Sequence, residues 1–191
     1  METKIVLFDK PGKEYTEATL KYAIEIASAL GNKKLLISST TGYSAKKALE
    51  IIPEGFHLIV VTHQQGFKEE NTNEFDADLR RELIEKGHDV LTTTHALSGV
   101  ERTFRKKFGG LYPAEIVANA LRMFSEGVKV AVEIAIMAAD AGLVRTDEWI
   151  VSCGGTGRGL DTAMILKPAN SSKIFDLKVG TIICMPSGLN I

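Results

Sequence analysis

Apolar residues recur along this chain at two different spacings. Short runs of β-branched and aliphatic residues, Lys4 to Phe8, Lys34 to Ser38 and His57 to Thr62, read as buried strands. Between them, Thr16 to Leu30 sets Leu20, Ala23, Ile24, Ala27 and Leu30 on one helical face, with Gly31 and Asn32 behind as a stop signal. Ser44 to Ile52 reads as a shorter helix ended by Pro53. A strand, helix, strand, helix, strand series with crossovers of this length predicts parallel pairing in an open sheet covered by helices on both faces. Ligands of such sheets gather beyond the C-terminal ends of the strands.

Farther along come a polar loop from His63 to Glu74, a helix near Asp76 to Lys86, the strand His88 to Thr93 and a long loop to Tyr112. Pro113 to Phe124 reads as a helix opened by proline. Val128 to Ile136 alternates apolar and mixed residues and would suit a strand. Helix is the preferred reading, because the following MAADAG adds good helix formers and then Gly142 as a stop. Trp149 to Cys153, Ala163 to Lys167 and Val179 to Met185 read as three closely spaced strands.

The chain has 191 residues, which suits one α/β domain, and its 45% hydrophobic and 25% charged content is that of a folded globular protein. A formal net charge of −1 argues against nucleic acid or anionic lipid as a partner. Cys153 and Cys184 form neither a metal motif nor a disulfide framework, so a reducing, cytoplasmic setting is expected. The start METKIVLFDK lacks the features of a signal peptide, and the apolar region Val128 to Ala139 contains Lys129 and Glu133 and is too short to span a membrane.

The first candidate for chemistry is Ser38-Ser39-Thr40-Thr41-Gly42-Tyr43-Ser44, between a strand and a helix. There, free backbone N–H groups and the positive end of the helix dipole can meet an anion, and the hydroxyls add donors. Gly42 would let the chain turn and approach a ligand, while Ser44 is placed either to cap the helix or to contact phosphate. An empty, capped crossover explains one hydroxyl but not five.

The second is Gly154-Gly155-Thr156-Gly157-Arg158-Gly159, whose glycines exceed what a hairpin needs and imply backbone packed against a ligand or another loop, unless the loop is a plain turn. Arg158 offers a donor fork for phosphate or carboxylate, and Asp161 and Thr162 follow as polar contacts. The loop is not a dinucleotide fingerprint, because Leu160 stands where the third glycine would be and DTAMILKP looks like a strand.

His63 and His95 fall in loops after strands, where a ligand could sit, whereas His57 and His88 begin strands and read as structural. No histidine has metal-ligand spacing, and no metal is expected. His63 in the loop His63-Gln64-Gln65-Gly66-Phe67 is expected to make a loop hydrogen bond in preference to acid–base catalysis. The basic run Glu101 to Gly110, with Arg102, Arg105, Lys106 and Lys107, could complement an anionic ligand but is expected on the solvated surface, and Glu133 is expected at the polar edge of an amphipathic helix in preference to being a partly buried acid with a raised pKa.

The pieces FDKPGKE (Phe8 to Glu14), SSTTGYSAKKALE (Ser38 to Glu50), VVTHQQGF (Val60 to Phe67), THALSGVER (Thr94 to Arg102), VEIAIMAADAG (Val132 to Gly142), GGTGRGLDTA (Gly154 to Ala163) and ICMP (Ile183 to Pro186) together resemble the C-terminal α/β domain of pyruvate kinase. They resemble more closely the stand-alone, mostly archaeal, pyruvate kinase alpha/beta domain-like proteins. The resemblance implies a three-layer α/β/α fold with a mixed, mainly parallel sheet.

It also implies that Thr41, Gly42 and Ser44 lie where pyruvate kinase grips a phosphate of its sugar bisphosphate activator. The stand-alone relatives look like flavin mononucleotide binders. By carry-over Ser38 to Ser44 would hold the phosphate of FMN, and His63, Gly66, Phe67 and the loop Gly154 to Gly159 would lie near the rest of it. Pyruvate kinase activity is not expected of these residues, because its catalytic barrel needs about 250 residues of its own. The expected function is a soluble FMN-binding protein. The alternatives are a flavin-dependent oxidoreductase using the same site, or a regulatory or structural subunit without ligand; homodimerisation is expected by family analogy.

Overall fold

A computed structural model describes residues 4–189. Seven strands form one sheet: β1 (Val6–Phe8), β2 (Lys34–Ser38), β3 (His57–Val61), β4 (Asp89–Leu91), β5 (Ile150–Gly154), β6 (Thr162–Lys167) and β7 (Lys178–Pro186). Their spatial order is β1-β7-β6-β5-β2-β3-β4, and every pairing is parallel except those that β6 makes with β5 and β7. The sheet is therefore mixed and mainly parallel. The only tight connection among the last three strands joins β5 to β6, and an antiparallel pair is what so short a link allows.

Side chains of the central strands alternate between two apolar cores, as the period of two requires. Leu35 and Ile37, Leu58 and Val60, and Val151 and Cys153 face one core, where they meet Leu20, Ala23 and Ala27 of α1 (Thr16–Ala29), Ala45 and Ala48 of α2 (Tyr43–Ile51), and Leu83 of α3 (Ala77–Glu85). Leu36, Ile59, Val61 and Ile150 face the other, with α5 (Pro113–Arg122) and α6 (Glu126–Asp140). Both cysteines lie in the first core as small apolar residues, and burial pushes the Cys153 thiol well up and that of Cys184 to about 11.

One segment departs from the sequence expectation, and a second keeps its expected helix but is buried more deeply. The long stretch before Tyr112 contains a helix, α4 (Glu101–Phe108), none of whose residues is buried. Val128 to Ile136 is helical and belongs to α6, most of whose residues are buried, including Lys129 and Glu133. A helix covered by the sheet on one side and by α5 and loops on the others has no broad polar face, which is why its apolar spacing also suits a strand.

After β2 the chain travels outward to β3 and β4 and then returns through α4, α5 and α6 to place β5 on the opposite side of β2. The loops leaving β2 and β5 thus diverge at a switch point, the position where open α/β sheets form crevices. No helix among the described residues is long and apolar enough to cross a membrane.

Candidate functional site

The loop from β2 to α2 is built to leave N–H groups free. Ser39 N–H donates to Val61 O at 2.9 Å, anchoring the strand end, and Ser39 Oγ accepts from Ala45 N–H at 3.3 Å, capping the first turn of α2. Gly42, at φ 106°, occupies the left-handed region just before the helix, and its carbonyl accepts from Lys46 N–H. Among the described residues the N–H groups of Thr40, Thr41, Gly42, Tyr43 and Ser44 have no protein acceptor. Five consecutive unpaired donors at a helix start form a concave anion nest.

This nest opens on a cleft of about 390 Å³, within the range of small-ligand pockets. Ser38, Thr40, Thr41, Tyr43 and Ser44 form one wall, and α6 crosses it with Glu126, Lys129, Val130, Glu133, Ile134 and Met137. Lys129 and Glu133 pair within α6, with side chains only 8% and 6% exposed, and Glu133 Oε1 also accepts from Leu97 N–H at 2.9 Å. Glu133 is thus not the solvated helix edge expected from sequence, because its second oxygen ties α6 to the loop after β4.

An aromatic group stands beside the nest. His63, Phe67 and His95 lie with ring centroids 4.0 to 5.3 Å apart, and the Arg102 guanidinium sits 4.7 Å above the Phe67 ring. His63 contacts Glu74 through Nδ1 at 2.9 Å and Thr40 through Nε2 at 3.4 Å. His95 is buried, and that burial pushes its pKa down to about 4, against an opposing pull from Glu133. Its Nε2 accepts from Gln64 N–H at 3.4 Å, as a neutral imidazole should. Arg102, expected on the surface with its basic run, lines the cleft, whereas Arg105, Lys106 and Lys107 do not.

The family model described as "Pyruvate kinase, alpha/beta domain" matches residues 17–166. The chain belongs to that family. Among solved structures it is similar to Cryptosporidium parvum pyruvate kinase in complex with ADP, at 14% identity and a TM-score of 0.39, over 88% of this chain. The match spans 23% of that pyruvate kinase chain.

The second loop of this pyruvate kinase alpha/beta domain has glycines chiefly for packing. A Cβ on Gly154 would lie 2.2 Å from Gly127 O of α6, one on Gly155 2.1 Å from Gly159 O, and one on Gly159 2.6 Å from Lys13 Cα. Gly154 and Gly159 thus pack against other parts of the chain, and Gly155 against its own loop. Gly157, at φ 75°, meets open space, and it lines the cleft with Gly155, Arg158 and Gly159. Asp161, fully buried, accepts from the N–H groups of Gly12 and Thr156 and from the Thr162 hydroxyl, which fixes the loop at its base.

Four residues expected at the site lie outside the cleft lining: Gly42, Gly66, Gly154 and Thr156. Gly42 is needed for its φ and because a Cβ would reach within 2.8 Å of Leu79 Cδ2 in α3, so it supports the nest from behind and does not approach a ligand. Gly66 is exposed and closes its own turn with Thr72. His57 and His88 bond to Asp89 and to Leu58 N–H at the sheet end remote from the cleft, in keeping with a structural role. The contributions of Arg122, Glu126 and Lys129 escaped sequence reading, and those of Arg102 and Glu133 correspond to its less favoured alternatives. One signal was present: Lys129 and Glu133 stand four apart in an otherwise apolar run, where a solvated pair would be out of place. Among the described residues no three His, Cys, Asp or Glu side chains cluster as metal ligands would.

Proposed function

We propose that this domain is a binding module for one phosphorylated small molecule, and that the ligand is FMN. The observation that carries the reading is the run of five unpaired N–H groups from Thr40 to Ser44, four of whose residues, Thr40, Thr41, Tyr43 and Ser44, line the cleft. The charge of the lining supports a single phosphate. Arg102, Arg122, Lys129 and Arg158 stand against Glu126 and Glu133, an excess of two positive charges in a chain whose net charge is −1. That excess matches one phosphate dianion and would leave a bisphosphate under-compensated.

The phosphate would lie in the nest with Arg158 at hand, and the flat ring system would lie against the group formed by His63, Phe67 and His95. FMN, when bound, supplies redox chemistry of its own, while the protein's groups bind and orient it.

Titrating the purified protein with FMN tests the reading. Ligand at about a hundred times its dissociation constant adds roughly 2.7 kcal/mol of apparent stability, which raises the melting temperature, and the flavin fluorescence changes on binding. Arg158→Ala, exposed and far from the core, should weaken binding without moving the melting point of the free protein. A wild-type protein whose melting ignores saturating FMN would sink the proposal.

A further inference from the structure

Three side chains, two lining the cleft and one outside its lining, stand in a series that anion binding does not require. Glu74, in the loop after β3, places Oε2 2.9 Å from His63 Nδ1. A carboxylate only accepts, so Nδ1 is the donor, and in the neutral ring that tautomer leaves the lone pair on Nε2. That lone pair faces Thr40 Oγ1 at 3.4 Å, the looser spacing usual for such groups without substrate. Hydroxyl, imidazole and carboxylate in sequence are the arrangement that activates a hydroxyl nucleophile. Thr40 sits on the turn between β2 and α2, half-buried on the cleft wall, and the same wall holds Thr41, Tyr43 and Ser44, whose unpaired N–H groups are donors for charge that develops on a carbonyl oxygen.

We propose that Thr40, His63 and Glu74 form a hydrolytic triad that cleaves small carboxylic esters in this cleft. Thr40 Oγ forms a bond to the carbonyl carbon while its proton passes to His63 Nε2. The carbonyl electron pair moves to oxygen and is received by the nest. Collapse breaks the bond to the leaving oxygen, which takes the proton back from His63. Water then repeats the cycle on the acyl-Thr40 ester, giving the carboxylic acid and free Thr40. Glu74 is the positioning residue: it holds the ring and steadies the imidazolium.

One imidazole decides the substrate class. In acyl transfer the attacking and leaving groups depart from one tetrahedral carbon and one histidine serves both. In phosphoryl transfer they lie in line on opposite sides, out of reach of a single ring. His95, 5.3 Å from His63, already accepts from Gln64 N–H and is kept neutral by burial, so it does not oppose the His63 imidazolium. Val130, Ile134 and Met137 give the acyl group an apolar wall.

The test is p-nitrophenyl acetate added to the full chain, reading nitrophenolate release and the mass of the peptide that holds Thr40. A burst matching the protein concentration is expected, with one acetyl group on Thr40. Thr40→Val and His63→Gln should lose at least about a hundredfold of the rate. Glu74→Gln should lower kcat with KM unchanged. Inorganic phosphate should slow acylation by filling the nest.

Melting curves that match wild type show that each variant is folded. Release at the buffer rate by wild type, acetylation elsewhere, undiminished turnover in Thr40→Val or indifference to phosphate would each overturn the triad. FMN melting shifts on the same preparation separate the two readings. An FMN shift without a burst sinks the triad alone, and a burst without a shift sinks FMN alone.

Discussion

Gly42 and His95 show how single residues at the cleft couple fold to site. Any side chain at position 42 must adopt the left-handed region and also displace Leu79. Gly42→Ala should therefore destabilise the free protein by about 1–3 kcal/mol, read as a lower urea midpoint with no ligand present. A lost ligand response in that variant would report on folding as much as on binding, which makes Arg158 the cleaner probe. His95 is held neutral, its pKa moved from 6.5 to about 4 by burial. Between those values the unfolded chain takes up a proton that the folded chain refuses. Stability is thus fully present above 6.5 and falls as pH drops toward 4, by about 3 kcal/mol in all. Urea unfolding across that window should show the loss in wild type, and His95→Gln should show a flatter profile.

At the scale of elements, the decisive contact is that of α6 on β5. Gly154 lets helix backbone approach strand backbone, Gly127 leaves room for the Thr162 and Asp161 side chains, and Ser152 Oγ donates to Ala131 O at 2.8 Å in the same seam. Gly154→Ala would set a methyl 2.2 Å from one backbone atom and 2.8 Å from another, neither at the end of a flexible side chain. The expected cost is about 3 kcal/mol, the upper end of the range for overpacking, read as a shifted denaturant midpoint. On the proposed function, FMN affinity should fall too, because Lys129 and Glu133 move with the helix. Helix α4 is the opposite case: nothing on it is buried, and of its basic residues Arg102 alone reaches the cleft. Composition marked all four cations as surface, and only the path of the chain after β4 separates one from the rest.

Across the whole molecule, the paired centre and the exposed helix should differ in opening free energy. Amide hydrogen exchange is expected to be slowest in β2, β3 and β5, which are paired on both sides and covered on both faces, and fastest in α4. Uniform exchange across these segments would contradict the architecture. The sequence by itself determined the alternation of strands and helices, the mainly parallel sheet and the loop Ser38 to Ser44, because each depends on neighbours in the chain: hydrophobic period, glycine, hydroxyl and helix start. The tertiary structure alone decided which distant residues meet that loop. Return of the chain across β2 brings α6 and the glycine loop to it, and side-chain direction then follows from packing, so that Glu133 turns inward, Arg102 covers Phe67, and Gly154 and Gly159 serve close contact with the rest of the chain.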